Sequence, residues 1–124
     1  MTDKGTVVCI VDDDAGVRNA LKFALEIEGL DVRLYEGPKA LLSEGNLPSR
    51  ACLIVDFRMP EMDGLELVRE LRARDIGLPV IVITGRANKD LRRQAEKSGI
   101  HCLLEKPLSD SRLVACIRSA FAGG

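Results

Sequence analysis

The sequence has no excess of charge of either sign. Lysine and arginine together number 18 and aspartate and glutamate 19, which gives a formal net charge of -1. A protein with so balanced a charge has no overall field that would draw it to nucleic acid or to an anionic membrane. We therefore expect no direct binding of nucleic acid or of a membrane by this chain.

Long apolar stretches and paired cysteine motifs are also missing. No segment is apolar for long enough to be a signal peptide or a membrane span. The cysteines lie in or beside short apolar runs, without Cys-x-x-Cys or metal-type spacing, which predicts reduced, buried thiols in a cytoplasmic protein. The four cysteines are Cys9, Cys52, Cys102 and Cys116.

A repeated pattern fills the chain of 124 residues, 46% of which are hydrophobic. Short apolar runs alternate with amphipathic segments, and turn residues follow each run. Several of the runs are rich in Val and Ile and nearly continuous, which is typical of parallel strands covered on both faces. The runs are Val7 to Val11, Val32 to Tyr35, Cys52 to Val55, Val80 to Ile83 and Cys102 to Leu104.

The segments that follow the runs have helical periodicity. Strands and helices that alternate through right-handed crossovers predict a single α/β domain, 1–124, with helices on both faces of a doubly wound parallel sheet. Gly29 follows the first helical segment where a C-terminal cap is expected. The apolar face of that segment is predicted to contain Val17, Ala20, Leu21, Ala24, Leu25 and Ile27. The helices are predicted at Val17 to Glu28, Pro38 to Ser43, Leu65 to Ala73, Lys89 to Ser98 and Ser111 to Phe121.

Chemically active side chains follow four of the apolar runs. Asp12 and Asp13 follow the first run, Asp56 the third and Thr84 the fourth, while Lys106 lies just beyond the fifth. The second run is followed by nothing comparable, as expected of an edge strand. We therefore predict a five-stranded sheet of order 2-1-3-4-5, with the ligand site at the carboxyl ends of the first and third strands.

Three carboxylates, those of Asp12, Asp13 and Asp56, are expected to meet at this edge of the sheet. Like charges so close raise one another's pKa unless they share a cation. Oxygen ligands without histidine or cysteine favour Mg2+, or Mn2+, over zinc, and Mg2+ often completes its shell with phosphate oxygens. The pocket is therefore predicted to receive a phosphoryl group, with Lys106 as a point charge and Thr84 as a hydrogen-bond donor.

Each of these side chains lies within a short motif. The motifs are Ile10-Val11-Asp12-Asp13-Asp14, Val55-Asp56-Phe57-Arg58-Met59-Pro60 with Asp63-Gly64, Ile83-Thr84-Gly85 and Glu105-Lys106-Pro107. In this order they resemble the receiver domains of bacterial response regulators, and particularly those of nitrogen-fixation-type regulators. The resemblance extends from Val7 to Phe121 and implies the flavodoxin-like receiver fold of two-component signalling proteins.

The resemblance also implies a role for each site residue. Asp56 would accept a phosphoryl group, and Asp13 and Asp56 would bind Mg2+ directly together with the backbone carbonyl of Arg58. Asp12 would act through a metal-bound water. The domain would catalyse its own phosphorylation and dephosphorylation rather than act as an enzyme on other substrates. The residues that would contact the phosphoryl group are Thr84 and Lys106.

The partners implied by the resemblance are proteins. The phosphoryl donor would be a sensor histidine kinase or a phosphotransfer protein, or a small molecule such as acetyl phosphate. The output would pass to a downstream protein target, or to an effector domain if this chain is part of a longer regulator. Dimerisation through the fourth and fifth helices is an open alternative to a monomer.

Two departures from the family pattern lead to further predictions. Leu103 stands three positions before the lysine, where these receivers usually have an aromatic residue. We therefore predict that output depends more on Thr84 and on rearrangement of the fourth helix. Arg58 and Arg86 each follow a site residue by two positions, and we hypothesise that they shield the phosphorylated site and slow its hydrolysis. The alternative is that both are solvated arginines that offset the acidic pocket.

Other functions agree less well with these residues. A receiver-like interaction module that works without phosphorylation would generally lack an acid, the threonine or the lysine, and here all are present. An aspartate-nucleophile phosphatase would need a second acid at position 58, which is arginine. No glycine-rich nucleotide-binding loop follows the first run. Three further polar residues receive structural interpretations: Asp14 and Asp63 as helix-start residues and His101 as a surface residue.

Overall fold

The computed structural model describes residues 6–122. Five parallel strands form one sheet in the order β2-β1-β3-β4-β5, which confirms the predicted fold class and strand order. The predicted domain, 1–124, also includes residues 1–5 and 123–124, which lie outside the described range. The strands are β1 (Val7–Val11), β2 (Asp31–Tyr35), β3 (Ala51–Asp56), β4 (Val80–Thr84) and β5 (Cys102–Glu105).

Helices cover the sheet on both faces. The helices are α1 (Ala15–Ile27), α2 (Pro38–Leu42), α3 (Gly64–Ala73), α4 (Lys89–Lys97) and α5 (Asp110–Ala122). One core cluster packs α1 and α5 against one face, and a second packs α2, α3 and α4 against the other. Among the described residues, none of these helices is both long and apolar enough to cross a membrane.

Side-chain caps fix the start of the two helices that flank the site. The Asp14 carboxylate accepts hydrogen bonds from the N–H groups of Gly16 (2.8 Å) and Val17 (3.2 Å), so α1 begins two residues before its predicted start. Asp63 and Glu66 form a capping box at the start of α3. Both aspartates thus have the structural role predicted for them, and both helices begin directly beside the carboxyl edge of the sheet.

The predicted apolar face of α1 is wrong at Ala20 and Ile27, which are both exposed. The Ile27 side chain is 68% exposed, and Phe23, one turn earlier, is 70% exposed. Leu21 and Leu25 are buried, and Ile27 lies about 200° around the helix from Leu25 because each residue turns the helix by about 100°. Leu30, beyond the helix end, is buried instead. Gly29 makes this turn with a φ of 85°, which agrees with its predicted place after the helix.

The prediction of buried thiols is correct for two cysteines and wrong for two. Cys9 and Cys52 are buried within the sheet, whereas Cys102 and Cys116 are only half-buried. Burial raises the pKa of the Cys52 thiol to about 12, so this thiol stays protonated at neutral pH. Cys102 is less covered because it begins β5, which is an edge strand paired only with β4 among the described strands.

Candidate functional site

Three aspartates meet at the carboxyl edge of the sheet. The pairing of β1 with β3 places Val11 opposite Val55, so Asp12, the next residue after β1, comes alongside Asp56, the last residue of β3. Carboxylate oxygens of Asp12, Asp13 and Asp56 lie within 4.8 Å of one another. The structure therefore brings together the three acids that the sequence places at separate strand ends.

Asp12 is the most deeply buried acid of this cluster. Its residue is 4% exposed, and its Oδ1 accepts a hydrogen bond of 2.9 Å from the N–H of Asp14. Burial raises the pKa of the Asp12 carboxyl, and the nearby charge of Asp56 raises it further, although the hydrogen bond from Asp14 acts in the opposite direction. The ionised form of Asp12 is thus disfavoured unless a cation neutralises the cluster.

Asp56 lies at the centre of the site beside a lysine. Its side chain is 12% exposed, and its Oδ1 is 3.9 Å from the Nζ of Lys106. Burial raises the pKa of the Asp56 carboxyl, whereas the Lys106 ammonium and the N–H groups of Arg58 and Phe57 lower it. The backbone N–H of Lys106 donates to the carbonyl of Thr84, 2.8 Å away at the end of β4, so the lysine side chain starts beside the carboxyl end of that strand.

The Thr84 side chain is engaged with the loop that follows its own strand. Thr84 is 1% exposed. Its hydroxyl donates to the carbonyl of Arg86 (3.1 Å) and accepts from the N–H of the same residue (3.3 Å). To donate a hydrogen bond toward Asp56, the Thr84 hydroxyl must first release the Arg86 carbonyl.

Gly64 is a site residue that the sequence did not single out for this role. A Cβ atom at this position would lie 3.1 Å from the carbonyl oxygen of Asp56 and 3.1 Å from the Cα of Phe57. The N–H of Gly64 donates to the carbonyl of Phe57, 2.8 Å away. The Asp63-Gly64 motif was interpreted as a turn and a helix cap, but it also lets α3 approach the backbone of Asp56.

Arg18 is a second residue that the sequence analysis missed. It lies on α1, is half-buried, and its guanidinium donates a hydrogen bond of 2.7 Å to the carbonyl of Asp12. The sequence does contain a signal for this role of Arg18, because it is a cationic residue one turn after the capping residue Asp14. A long side chain at that position can reach back to the end of the preceding strand.

The residues at the two departures from the family pattern differ in exposure. Arg58 and Arg86 are exposed, and neither guanidinium forms an ion pair with a residue in the described part of the chain. Leu103 is half-buried and packs on the core cluster that contains α4. His101 is exposed, as predicted, with its Nε2 3.1 Å from the hydroxyl of Ser119.

The donor set of the acidic cluster fits a hard divalent cation. Three carboxylates converge, no histidine or cysteine joins them in the described chain, and the pKa values of Asp12 and Asp56 are raised. Such a site is electrostatically unfavourable without a cation, and oxygen-only donors suit Mg2+ or Mn2+. Arg58 belongs to the loop after β3, and its carbonyl as a further ligand remains a prediction.

The raised pKa of Asp12 predicts a pH-dependent cost to folding. We expect an Asp12→Asn variant without metal to be more stable than the wild type at pH 7, by about 0.5–2 kcal/mol. Asn keeps the oxygen that accepts from Asp14 and removes the charge. Because the carboxyl pKa is higher in the folded state, wild-type stability falls relative to the variant as pH rises above about 4. Urea unfolding from pH 3 to 8 measures this difference.

At pH 3 the advantage of the variant should vanish, since the carboxyl is then protonated in both states. Saturating Mg2+ should reverse the order at pH 7, because only the wild type keeps the full set of carboxylates. A variant less stable than the wild type at every pH would show that the cluster carries no electrostatic cost.

Comparison with known proteins identifies the class to which this fold and site belong. The family model of the response regulator receiver domain matches residues 8–118. The chain therefore belongs to the receiver domain family of two-component response regulators, as the four motifs predicted. That family is not one of conventional enzymes acting on separate substrates.

Among the relatives, the chain is similar to the transcriptional regulatory protein FixJ of two bacteria. It is 38% identical to FixJ of Bradyrhizobium diazoefficiens over 120 residues, which cover 97% of this chain and 58% of the relative. With FixJ of Azorhizobium caulinodans the identity is 41% over 113 residues, covering 91% of this chain and 54% of the relative. The chain thus spans between half and two thirds of the length of these proteins.

Solved structures support the same relationship. The crystal structure of FixJ-N matches with a TM-score of 0.86 and 35% identity, covering 98% of this chain and 96% of that one. The response regulator StyR matches with a TM-score of 0.87 and 31% identity, covering 94% of this chain and 59% of that one. Both confirm the predicted receiver fold across nearly the whole chain.

Proposed function

We propose that this chain is a phosphorylation-activated receiver that accepts a phosphoryl group on Asp56 in a Mg2+-dependent reaction. The observation that carries the proposal is the arrangement of Asp12, Asp13 and Asp56 within 4.8 Å of one another, with Lys106 beside the acceptor. Aspartate is a competent phosphoryl acceptor, and a cation-lined pocket is the environment such a transfer needs.

The metal would be held on one side of the acceptor by carboxylates. Asp13 and Asp56 are the proposed direct ligands with the Arg58 carbonyl, and Asp12 would act through a water. When bound, Mg2+ supplies positive charge that neutralises the carboxylates and the incoming phosphoryl oxygens. Mn2+, which accepts the same oxygen ligands, is the alternative ion.

The chain's own side chains would carry out the transfer. A carboxylate oxygen of Asp56 attacks phosphorus in line, and the bond from phosphorus to the nitrogen of a phosphohistidine donor breaks as the O–P bond forms. The leaving imidazole keeps the bonding electrons and takes up a proton. Lys106, now 3.9 Å from Asp56, would pair with the transferred group, and Thr84 would donate its hydroxyl to one of the new oxygens.

The output of this switch would begin at Thr84. Its hydroxyl is bound to the carbonyl of Arg86, so a turn toward the phosphoryl group frees the loop that leads into α4. Leu103 packs against the α4 side of the sheet in place of the usual aromatic residue. We therefore propose that signalling depends on Thr84 and α4 rather than on the swing of an aromatic ring.

The proposed partners follow from the class of protein. A sensor histidine kinase or a phosphotransfer protein would donate the phosphoryl group, and a target protein or an effector domain would receive the signal. FixJ proteins are named transcriptional regulators, and the chain covers about half of their length, which supports an effector domain as one arrangement. We propose that residues 1–124 form a single domain in the cytoplasm, where thiols are normally reduced. A dimer is the alternative to a monomer.

Mass spectrometry after treatment with a small phosphoryl donor tests the proposed function. The full chain is incubated with acetyl phosphate and Mg2+, and the mass should increase by one phosphoryl group. Trypsin places Asp56 in the peptide from Ala51 to Arg58, which should carry the modification. A chain that stays unmodified and that also fails to bind beryllofluoride would instead be an interaction module independent of phosphorylation.

The exposed arginine after the acceptor predicts a slowly hydrolysing phosphoryl group. We expect Arg58→Ala to shorten the half-life of phosphorylated Asp56 by up to about five-fold, because a charged contact at an exposed site contributes about 1 kcal/mol. Decay is followed by intact-protein mass spectrometry after removal of the donor. Arg69→Ala, which removes an exposed arginine from α3, is the matched control. An unchanged half-life in Arg58→Ala would mean that this arginine only offsets the acidic pocket.

A further inference from the structure

Arg18 joins the first helix to the acidic end of the first strand. Its guanidinium donates to the carbonyl oxygen of Asp12 over 2.7 Å, and its own N–H donates to the carbonyl of Asp14 over 3.0 Å. The side chain is half-buried and therefore packed in place rather than extended into solvent. The turn between β1 and α1 is thus held by a cation that lies on the helix.

The bonded carbonyl belongs to the peptide unit that links Asp12 to Asp13. A peptide unit is a rigid plane, so fixing its oxygen also fixes the Cα of Asp13, the atom from which the Asp13 side chain extends. Rotation of this unit would displace the Asp13 carboxylate from the cluster. Arg18 therefore controls the position of an acid that it does not contact through side-chain atoms.

Asp13 is the acid of the cluster that most needs such support. The Asp12 carboxylate is anchored by the N–H of Asp14, and the Asp56 carboxylate lies beside the ammonium of Lys106. The Asp13 side chain is exposed, and within residues 6–122 it forms neither a hydrogen bond nor an ion pair. Its place at the site depends on the backbone that carries it.

We propose that Arg18 is a positioning residue of the metal site, which holds the Asp12–Asp13 peptide so that the Asp13 carboxylate can bind a divalent cation. This inference rests on the proposed function. It assigns Arg18 a geometric role, since Lys106 is the cation that faces the carboxylates directly, at 3.9 Å from Asp56. The charge of Arg18 would by itself repel a divalent cation. A geometric role therefore predicts that removing the guanidinium weakens Mg2+ binding, whereas an electrostatic role predicts that it strengthens Mg2+ binding.

Mg2+ titration of the unphosphorylated full chain distinguishes the two roles. Backbone amide shifts of the 15N-labelled protein report the dissociation constant for Mg2+ alone. Arg18→Met keeps the packed aliphatic stem but removes the donor, and we expect it to weaken Mg2+ binding about ten-fold, the lower end for loss of a residue that supports a metal ligand. Arg18→Lys, which keeps charge and a donor, should recover most of the affinity.

Two further variants separate geometry from charge. Arg18→Gln removes the charge and keeps a shorter amide donor, so we expect its Mg2+ affinity to lie between those of Arg18→Met and Arg18→Lys. Lys22→Gln removes a charge from the next turn of α1, and Lys22 has no hydrogen bond to the site among the described residues. We therefore expect the Mg2+ affinity of this variant to stay within about two-fold of the wild type or to rise slightly. Thermal unfolding without metal shows whether each variant is folded, and Arg18→Gln still tests the role if Arg18→Met is not.

The possible results have distinct meanings. Equal or tighter Mg2+ binding by Arg18→Met would overturn the positioning role and leave Arg18 as a charge or a tether for α1. Tighter Mg2+ binding by Arg18→Gln than by the wild type would also overturn it, because loss of the repelling charge would then be the dominant effect. A wild type that binds no Mg2+ would refute the proposed function, and with it this inference, whereas failure in the variants alone leaves the proposed function intact.

Discussion

An Asp56→Asn variant is expected to accept no detectable phosphoryl group from acetyl phosphate or from a phosphorylated kinase. The amide cannot supply the carboxylate oxygen that attacks phosphorus, so modification should fall below about 1% of wild type, as expected when a nucleophile is removed. Intact mass and the peptide from Ala51 to Arg58 report the result. Because burial raises the pKa of the Asp56 carboxyl, the neutral Asn should fold at least as stably as the wild type without metal.

Asp75→Asn is the matched control for this variant. Asp75 lies beyond α3 with a φ of 62°, a left-handed conformation that Asn tolerates well, and it is exposed. The control removes one carboxylate from the chain without touching the acidic cluster and should be phosphorylated as the wild type is. Full modification of a folded Asp56→Asn variant would assign the acceptor to another residue.

Withdrawal of divalent cations is expected to slow phosphorylation by at least about 100-fold. Without the cation, the carboxylates of Asp12 and Asp13 repel both the acceptor and the incoming phosphoryl oxygens, and metal neutralisation is worth several kcal/mol in such reactions. The initial rate with acetyl phosphate is measured in the presence of EDTA and after stepwise addition of Mg2+. Recovery should follow a single binding curve.

The choice of ion adds a second test of the same site. Mn2+ should restore the rate, because it accepts the same oxygen ligands, whereas Ca2+ should restore less because it is larger and prefers more ligands. Asp13→Asn should shift the Mg2+ curve to higher concentration. Unimpaired phosphorylation in EDTA would show that Lys106 alone neutralises the site.

Local sequence signals were enough to predict the strands and helices, but not which face of every helix is buried. The strands were predicted within one residue at each end, because buried parallel strands are continuous apolar runs. Asp14 and Asp63 marked helix starts through their capping side chains. Ile27 was assigned to the wrong side of α1, since the sequence shows that a helix is amphipathic but not where its last turn leaves the sheet. In the fold, Leu30 fills that place.

The residues of the candidate site also fall into those that the sequence predicts and those that only the structure reveals. Asp12, Asp13, Asp56, Thr84 and Lys106 could be chosen from sequence because each lies at a strand end of the predicted sheet. Gly64 and Arg18 were not chosen, because their roles are close approaches to backbone atoms: a 3.1 Å gap to Asp56 and a 2.7 Å hydrogen bond to Asp12. Such contacts depend on how a helix is set against a strand end.

The sequence by itself determined the alternation of strands and helices, the strand order and the residue types gathered at one edge of the sheet. These follow from periodicity and from the chemistry of short motifs, which act over a few neighbouring residues. Only the tertiary structure decided that the three carboxylates lie within 4.8 Å, that Thr84 is bound to its own loop and that Arg18 holds the Asp12 carbonyl. Those distances are set by packing between distant parts of the chain, which no local pattern specifies.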